Sequence, residues 1–406
     1  MPLFILVILS AMLALDATWW WTAHRAVRTF RRARAWRIAI ATFMAFQLLT
    51  LGWIFFGRVL GQRPEQTLPA WASGAVFVWH FIALPIGALV WAGIGAGKAI
   101  GSLRRKPVPT DPGESVEAAL PTRRQFLTAA AVAAPPLLTG IGTAWGTSQL
   151  NDFRVRRITI PLASLPSVLD GLAIAQVSDI HVGSFTRGRV LDRIIETTNS
   201  LKADLVLLTG DLINNALSDL PAALDVVKRM DPRHALVMCE GNHDLIESRA
   251  EFERRTKNSG VPLLINESMT TNIRGQDIQL LGLRWGSPSF TATRAENRGD
   301  AAIAASFDVV RPQIRAGAFP ILLAHHPHAF DPAAAAGVPL TLAGHTHGGQ
   351  LMLTPNLGFG PMMYRYWTGV YRKGDSALVV SNGVGNWFPL RTSAPAEIVH
   401  ITLRTA

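Results

Sequence analysis

The chain has 406 residues, of which 49% are hydrophobic and 17% are charged. It is too apolar for a purely soluble enzyme and too polar for a pure transporter, so a membrane region joined to a soluble domain is expected. The net charge of +11 lies mainly in residues 24–37, with six Arg and no acid, and in residues 98–124, with six Lys or Arg against three acids. The remainder is close to neutral, so no nucleic-acid partner is expected.

Four apolar segments occupy the first 150 residues: 1–22, 38–60, 71–97 and 125–147. A helix needs about 20 apolar residues to cross the hydrocarbon core of a bilayer, and all four segments are long enough. They predict an all-α transmembrane region of about four helices over residues 1–150. For the fourth segment, which contains Pro135 and Pro136, a buried soluble helix stays open as an alternative.

The two basic segments predict the orientation of this region. Loops rich in Lys and Arg stay on the cytoplasmic side, which places residues after 150 on the outer, periplasmic or extracellular, side of the inner (cytoplasmic) membrane. Residues 122–127 (Thr-Arg-Arg-Gln-Phe-Leu) resemble a twin-arginine export signal, and an ordinary positively charged flank explains them equally well. Asp16, close to a cluster of tryptophans, is expected to be a hydrated residue near a membrane interface.

From about residue 155 the pattern becomes that of an α/β domain, assigned to 151–406. Short apolar runs indicate buried strands at 172–177, 205–208, 235–239, 278–283, 320–324 and 338–343. Helices are predicted at 187–201, 219–230 and 250–259. Five of the strands are followed directly by Asp, His or Asn, in the runs 178–181, 209–211, 240–244, 325–327 and 344–349.

These strand ends predict a metal site. The carboxyl ends of strands in open α/β sheets are where such folds place their sites, so loops distant in sequence can converge there. Carboxylate oxygen and imidazole nitrogen suit cations such as Mn, Fe and Zn. Seven candidate ligands exceed what one tetrahedral ion needs, and two ions that share a bridging carboxylate account for the number.

The motifs, in order, are D-x-H (179–181), G-D (210–211), G-N-H-D (241–244), His325 and G-H-x-H (344–347). This pattern over about 170–403 resembles the calcineurin-like metallophosphoesterase superfamily, and in particular its bacterial membrane-associated branch. The resemblance implies a four-layer αββα sandwich and a dinuclear-metal phosphoric ester hydrolase, in which a metal-bridging hydroxide attacks phosphorus.

The resemblance also implies residue roles. Asp211 would bridge the two ions, and His243 would stabilise or protonate the leaving oxygen without binding metal. With Asp179, these two residues form the expected catalytic set. His325 and His326 are alternatives for one ligand. The spacing to the following proline in the family pattern favours His325. The implied ligands are Asp179, His181 and His347 for one ion, and Asn242, His325 and His345 for the other.

Other residues are assigned by chemistry alone. Arg187 and Arg391 are candidates to bind the substrate phosphate, although each could equally be a surface charge. Trp367, Trp387 and Phe388 could line a lipid or base pocket or pack in the core. The expected substrate is a phosphate ester, either a monoester or a diester. The membrane region favours a lipid-linked or cell-envelope compound.

Two other functions stay open. A UDP-2,3-diacylglucosamine-type pyrophosphohydrolase of lipid A synthesis would act on the cytoplasmic side, so the orientation of the domain distinguishes it. A catalytically inactive scaffold with the metallophosphoesterase fold would have lost metal ligands, whereas no ligand position is substituted here. A nuclease is disfavoured because the region after residue 150 is nearly neutral.

Overall fold

The computed structural model describes residues 3–104, 122–286 and 299–406. Most of the basic segment 98–124, on which the predicted orientation partly depends, lies outside these residues. Contacts between Cα atoms divide the chain into two units, Met1–Thr147 and Ser148–Ala406.

The described residues of the first unit form helices joined by short turns, as predicted. A five-residue π-helix, Trp79–Ala83, joins its fourth and fifth helices into one long apolar stretch. Its helices are α1 (Leu3–Ala26), α2 (Ala33–Val59), α3 (Pro64–Thr67), α4 (Ala70–Val78), α5 (Leu84–Arg104) and α6 (Arg123–Ser148). Four stretches of 24 or 25 residues are long and apolar enough to cross a membrane: Leu6–Thr29, Ala33–Gly57, Ala70–Gly93 and Gln125–Ser148. The prediction of about four spanning helices is therefore confirmed.

Asp16 on α1 is buried, with 2% of its surface exposed, so the expectation of a hydrated residue is wrong. Trp79 Nε1 donates a hydrogen bond to Asp16 Oδ1 at 2.8 Å, and His80 Nε2 lies 3.0 Å from Asp16 Oδ2. Both partners belong to the π-helix. A buried carboxylate is stable only with such partners, and here they fix α1 against the π-helix.

The second unit contains thirteen strands and six helices in its described residues. The strands are β1 (Phe153–Leu162), β2 (Ala173–Val177), β3 (Leu205–Thr209), β4 (Ala235–Cys239), β5 (Glu267–Ile273), β6 (Gln276–Gly282), β7 (Phe319–Leu323), β8 (Leu340–Ala343), β9 (Met352–Thr354), β10 (Leu357–Gly358), β11 (Gly369–Lys373), β12 (Ser376–Val380) and β13 (Ala396–Thr405). The helices are α7 (Arg189–Ser200), α8 (Leu220–Lys228), α9 (Arg249–Asn258), α10 (Asp300–Val310), α11 (Phe330–Ala335) and α12 (Phe359–Met363).

Two large mixed sheets organise this unit. One has the order β1-β13-β2-β3-β4 and the other β11-β12-β8-β7-β6-β5, while β9 and β10 form a separate hairpin. The central strands β2, β3, β7 and β8 run parallel to their sequence neighbours within each sheet. They are almost wholly buried, which is typical of parallel strands covered on both faces.

The helices and sheets of this unit form four layers. Leu207 and Val237 of the first sheet pack in one cluster with Ile321 and Leu342 of the second, so the two sheets face each other. On the outer face of the first sheet a second cluster contains residues of α7, α8 and α9. On the outer face of the second sheet a third cluster contains residues of α10 and α11. The predicted αββα sandwich is confirmed.

Candidate metal centre

The candidate ligands follow the carboxyl ends of five strands. In the first sheet, β2 is followed by Asp179 and His181, β3 by Asp211, and β4 by Asn242. In the second sheet, β7 is followed by His325, and β8 by two further histidines, His345 and His347. Because the two sheets are packed face to face, their strand ends meet at one edge of the sandwich. The structure brings all seven predicted ligands together there.

The backbone at these ligands is strained. Five of them have left-handed φ values between 49° and 72°, a region that costs a non-glycine residue about 1–2 kcal/mol. Such residues persist only where the surrounding structure holds them, and they concentrate at functional sites. The five are Asp179, His181, Asp211, His345 and His347.

Glycines of the motifs allow the loops to approach each other. A Cβ added at Gly241 would overlap Asp211 Oδ1, and one at Gly344 would overlap Ser178 Oγ and Asp179 Oδ2. Only glycine therefore fits at these two positions. The close approach of these two loops lets the His243 N–H donate a hydrogen bond to Asp211 Oδ1 at 2.8 Å.

One group of ligand atoms surrounds Asp179. His181 Nε2 and His347 Nε2 lie 2.9 Å apart, and His347 Nε2 lies 3.3 Å from Asp179 Oδ1. The His345 N–H donates to the same carboxylate at 3.0 Å and orients it. One oxygen and two nitrogens within 4.8 Å of one another can hold a single cation.

A second group surrounds Asp211. Its Oδ2 lies 3.1 Å from His325 Nε2, and His345 offers a further nitrogen within 4.8 Å of both. Asn242 Oδ1 lies 2.8 Å from His345 Nδ1, so the amide oxygen is close enough to bind the same cation as this group would. Asp211 Oδ2 is also 3.5 Å from His181 Nε2 of the first group. This oxygen therefore lies between the two groups.

Hydrogen bonds on the far sides of the rings fix two histidines. The Nδ1–H of His325 donates to Thr209 O at 2.7 Å, which leaves Nε2 for Asp211 and a cation. The Nδ1–H of His243 donates to Asn214 O at 2.5 Å in the same way. Partners of this kind set the tautomer and orientation of metal-binding histidines. His243 could also form a third group of ligands with His181 and Asp211. Its role at the leaving oxygen, without a metal, therefore stays a prediction.

The charges of the cluster fit a divalent cation. Burial raises the pKa of Asp179 to about 7, and the neighbouring Asp211 carboxylate adds to the increase. Burial lowers the pKa of His325, but Asp211 and Asp179 outweigh it and raise the value to about 9. Buried carboxylates are costly unless a positive charge offsets them. Burial holds the pKa of three further histidines well below its usual value, so their imidazoles are neutral and can bind a cation. They are His181, His345 and His347.

A cavity of about 380 Å³ opens above the cluster. One wall carries Asp211, Asn242, His243, His345 and His347, so a substrate in the cavity would contact both ligand groups. The rest of the lining includes Thr346, Gly349 and Gln350 and a mostly apolar part, called the apolar wall here, formed by Leu351, Phe359, Met363, Tyr364, Trp387 and Phe388.

The structure corrects the prediction for Arg391. This side chain is fully buried, and all of its donors are used, by Asn386 Oδ1, the carbonyls of Asn382, Gly385 and Ala394, and His347 Nδ1. No donor remains for a substrate phosphate, so Arg391 supports His347 and its loops instead. Arg187 is exposed and is not among the residues that line the cavity, which gives no support to its predicted contact with phosphate.

Two further residues contribute to the site. Asp244 is buried and accepts from the N–H groups of Ile213 and Gly241, so it joins two ligand loops. Trp285 packs against the rings of His325 and His345, with centroids 5.3 and 4.9 Å away. Asp244 stands in a motif that could have indicated its role, whereas no sequence signal marks Trp285.

His326 is not among the grouped ligand atoms of the described residues, which agrees with the choice of His325. Its Nδ1 accepts from the backbone N–H of His328 at 3.2 Å, and its ring packs 5.0 Å from that of His345. Burial lowers the pKa of His326 to about 3, so it is a neutral packing residue beside the ligands.

Comparisons with known proteins agree with this geometry. A transmembrane protein with metallophosphoesterase domain from Danio rerio is 30% identical over 62% of this chain, which spans 58% of that relative's length. An uncharacterized metallophosphoesterase, YkuE, from Bacillus subtilis (strain 168) is 28% identical over 70% of this chain and 98% of its own length. Phosphodiesterase YaeI from Escherichia coli (strain K12) is 26% identical over 56% of this chain and 80% of its own length.

The chain thus spans just over half the length of the Danio rerio relative, and the whole protein's activity is not given by that similarity. The pattern of one family, described as calcineurin-like phosphoesterase, matches residues 172–349, which include all five motifs. This family hydrolyses phosphate esters and uses divalent metals. Residues 172–349 therefore match the calcineurin-like phosphoesterase family, and four helices that are long and apolar enough to cross a membrane precede them in the chain.

Proposed function

We propose that this domain is a phosphoesterase, a phosphodiesterase or phosphatase, that uses two divalent metal ions (Mn, Fe or Zn). The observation that carries the proposal is the position of Asp211 Oδ2, 3.5 Å from His181 Nε2 and 3.1 Å from His325 Nε2. One carboxylate oxygen within reach of both ligand groups suits a ligand shared by two ions. Asp179, His181 and His347 would hold one ion, and Asn242, His325 and His345 the other.

In the proposed reaction, the metal ions and the protein side chains have different roles. Bound ions would polarise the phosphoryl oxygens and lower the pKa of water from 15.7 towards about 7. The chain positions the ester in the cavity and supplies a proton. His243 faces the cavity through Nε2, because its Nδ1 is bonded to Asn214 O. Nε2 is assigned to the leaving oxygen: in the doubly protonated ring, with Nδ1–H still bonded to Asn214 O, Nε2–H would donate its proton as the P–O bond breaks, which leaves a neutral imidazole.

Metal analysis tests the proposal on the purified full chain. We expect about two equivalents of metal per chain, since two ligand groups share one carboxylate. Removal of metal by a chelator should abolish hydrolysis of 4-nitrophenyl phosphate and bis(4-nitrophenyl) phosphate, and Mn, Fe or Zn should restore it. Hydrolysis by a metal-free chain would contradict the proposal. A chain that binds metal and hydrolyses none of a panel of esters would favour the scaffold alternative.

We further propose that the domain acts on the outer side of the inner membrane, on a lipid-linked or envelope phosphate ester. The positively charged segments 24–37 and 98–124 support the orientation. The four helices that are long and apolar enough to cross a membrane support a substrate of the membrane or envelope.

Reporter fusions in a bacterial host test the orientation. Alkaline phosphatase fused after Ala406 should be active, because it matures only outside the cytoplasm, and β-galactosidase at the same position should be inactive. Fusions after residue 110 serve as the matched reference and should give the opposite result. An active β-galactosidase fusion after Ala406 would contradict the orientation and would favour the cytoplasmic UDP-2,3-diacylglucosamine pyrophosphohydrolase alternative.

A further inference from the structure

The exposed apolar side chains of the second unit are concentrated beside the metal centre. Ten large apolar residues are exposed in its described part, and five of them lie on the short segment 351–363, which comprises β9, β10 and α12 and is called the apolar hairpin here. Met362 and Leu353 are 77% and 70% exposed. Scattered exposed apolar residues are ordinary, but a contiguous group marks a binding surface. The five are Leu353, Leu357, Phe359, Met362 and Met363.

The apolar hairpin continues into the catalytic cavity. Phe359 and Met363 are both exposed, and both line the cavity that His243 and His345 also line. Trp387, which is 42% exposed, extends the same wall. An apolar path therefore runs from the cavity, where the phosphate must lie, out to the surface of the domain.

The apolar hairpin is held in place by hydrogen bonds. The Met352 N–H donates to Thr392 O at 3.0 Å, and Thr392 Oγ1 donates to Met352 O at 2.9 Å. Gln350 Nε2 donates to Leu390 O at 2.9 Å, which fixes the hairpin's base to the chain segment that carries Trp387. A wall fixed before binding loses little entropy when it covers an apolar ligand.

We propose that this surface is a substrate-tail site, which binds the alkyl or acyl chain of an amphiphilic phosphate ester while its phosphate lies at the metal centre. The inference rests on the proposed phosphoesterase function and names its substrate class. An alkyl chain is favoured over a sugar because the side chains of Leu351, Phe359 and Phe388 of the lining neither donate nor accept hydrogen bonds, which sugar hydroxyls need when they leave water. Methionines at the wall suit flexible chains. Four helices that are long and apolar enough to cross a membrane also favour a lipid as the substrate.

Matched substrates test this with the full chain in detergent micelles. 4-Nitrophenyl phosphodiesters whose second ester group is ethyl, hexadecyl or thymidine share one reacting bond and differ only in the tail. We expect kcat/KM for the hexadecyl ester to exceed that for the ethyl ester by at least about tenfold, since each buried methylene contributes to binding. The double variant Phe359→Ser, Met363→Ser should lower this ratio about tenfold. Val168→Ser, at an exposed apolar residue far in sequence from the hairpin, should leave it unchanged.

A labelling measurement does not depend on turnover. A hexadecyl phosphate with a diazirine at the chain end should label residues 351–363 or 387–388, and hexadecyl phosphate should compete while ethyl phosphate should not. Labelling elsewhere, equal labelling by a bulk phospholipid probe, or a preference for the thymidine ester would overturn the tail site. An equal loss for both alkyl esters in the double variant would also overturn it. If no ester is hydrolysed and no metal is bound, the proposed function itself fails.

Discussion

Replacement of Asp211 by asparagine is expected to lower kcat for bis(4-nitrophenyl) phosphate by at least about a thousandfold, or about 4 kcal/mol. Its Oδ2 is within 3.5 Å of His181 Nε2 and His325 Nε2, so one atom serves both ligand groups. The amide keeps the shape of the side chain but has no negative charge to share between two ions. Steady-state kinetics and metal content, measured on the same preparation, check the prediction, and we expect less than two equivalents of metal.

The matched control is Asp192→Asn on α7. This carboxylate is half exposed and pairs with Arg229 at 3.0 Å, and exposed ion pairs contribute at most about 1 kcal/mol. Its removal should leave kcat and metal content unchanged. If Asp211→Asn kept full activity while Asp192→Asn behaved as expected, the shared-ligand role of Asp211 would be wrong and the two-ion mechanism with it.

Replacement of His243 by alanine is expected to lower kcat by about 100-fold to 10,000-fold, the usual contribution of a general acid. Metal content should persist, because the ring reaches the cavity through Nε2 while the ions have other ligands. The loss should be larger for an alkyl phosphate than for a 4-nitrophenyl ester, since a poor leaving group depends more on protonation. Kinetics with both leaving groups, together with metal analysis, make this measurement.

The exposed His234, which precedes β4, provides the control His234→Ala. That variant should keep both its metal and its activity. Loss of an ion from His243→Ala would show instead that His243 is a ligand, as its distance from His181 and Asp211 permits. A loss of activity that was equal for both leaving groups would contradict the role as an acid.

Much of the catalytic half could be predicted because its motifs combine two independent signals. Asp179, Asp211 and His325 each follow an apolar run, and such runs in an α/β domain end at one edge of the sheets. The glycines beside Asp211 and His345 indicate loops that must approach closely. The structure confirms the four-layer fold and brings the side chains together, while the ligand assignment of each stays a prediction.

The errors have a common physical cause. Arg391 and Asp16 are charged, and a charge in a sequence suggests a surface unless its partners are known. In the structure, Arg391 is surrounded by carbonyls and by His347, and Asp16 is surrounded by Trp79 and His80. These partners come from other segments of the chain, so no local pattern predicts them. The apolar wall of the cavity, likewise, depends on how β9, α12 and the loop at Trp387 pack.

The position of β13 has a consequence for biogenesis. This strand lies between β1 and β2 in the first sheet, with β1 parallel and β2 antiparallel to it, although about 220 residues separate it from β2 in the chain. During translation, β2 can pair with β3, and β3 with β4, early, but the other edge of β2 stays unpaired until residues 396–405 have been made. An unpaired edge invites wrong pairing. The nascent domain is therefore vulnerable until this strand arrives, and ribosomal stalling before residue 396 would leave it open to aggregation and proteolysis.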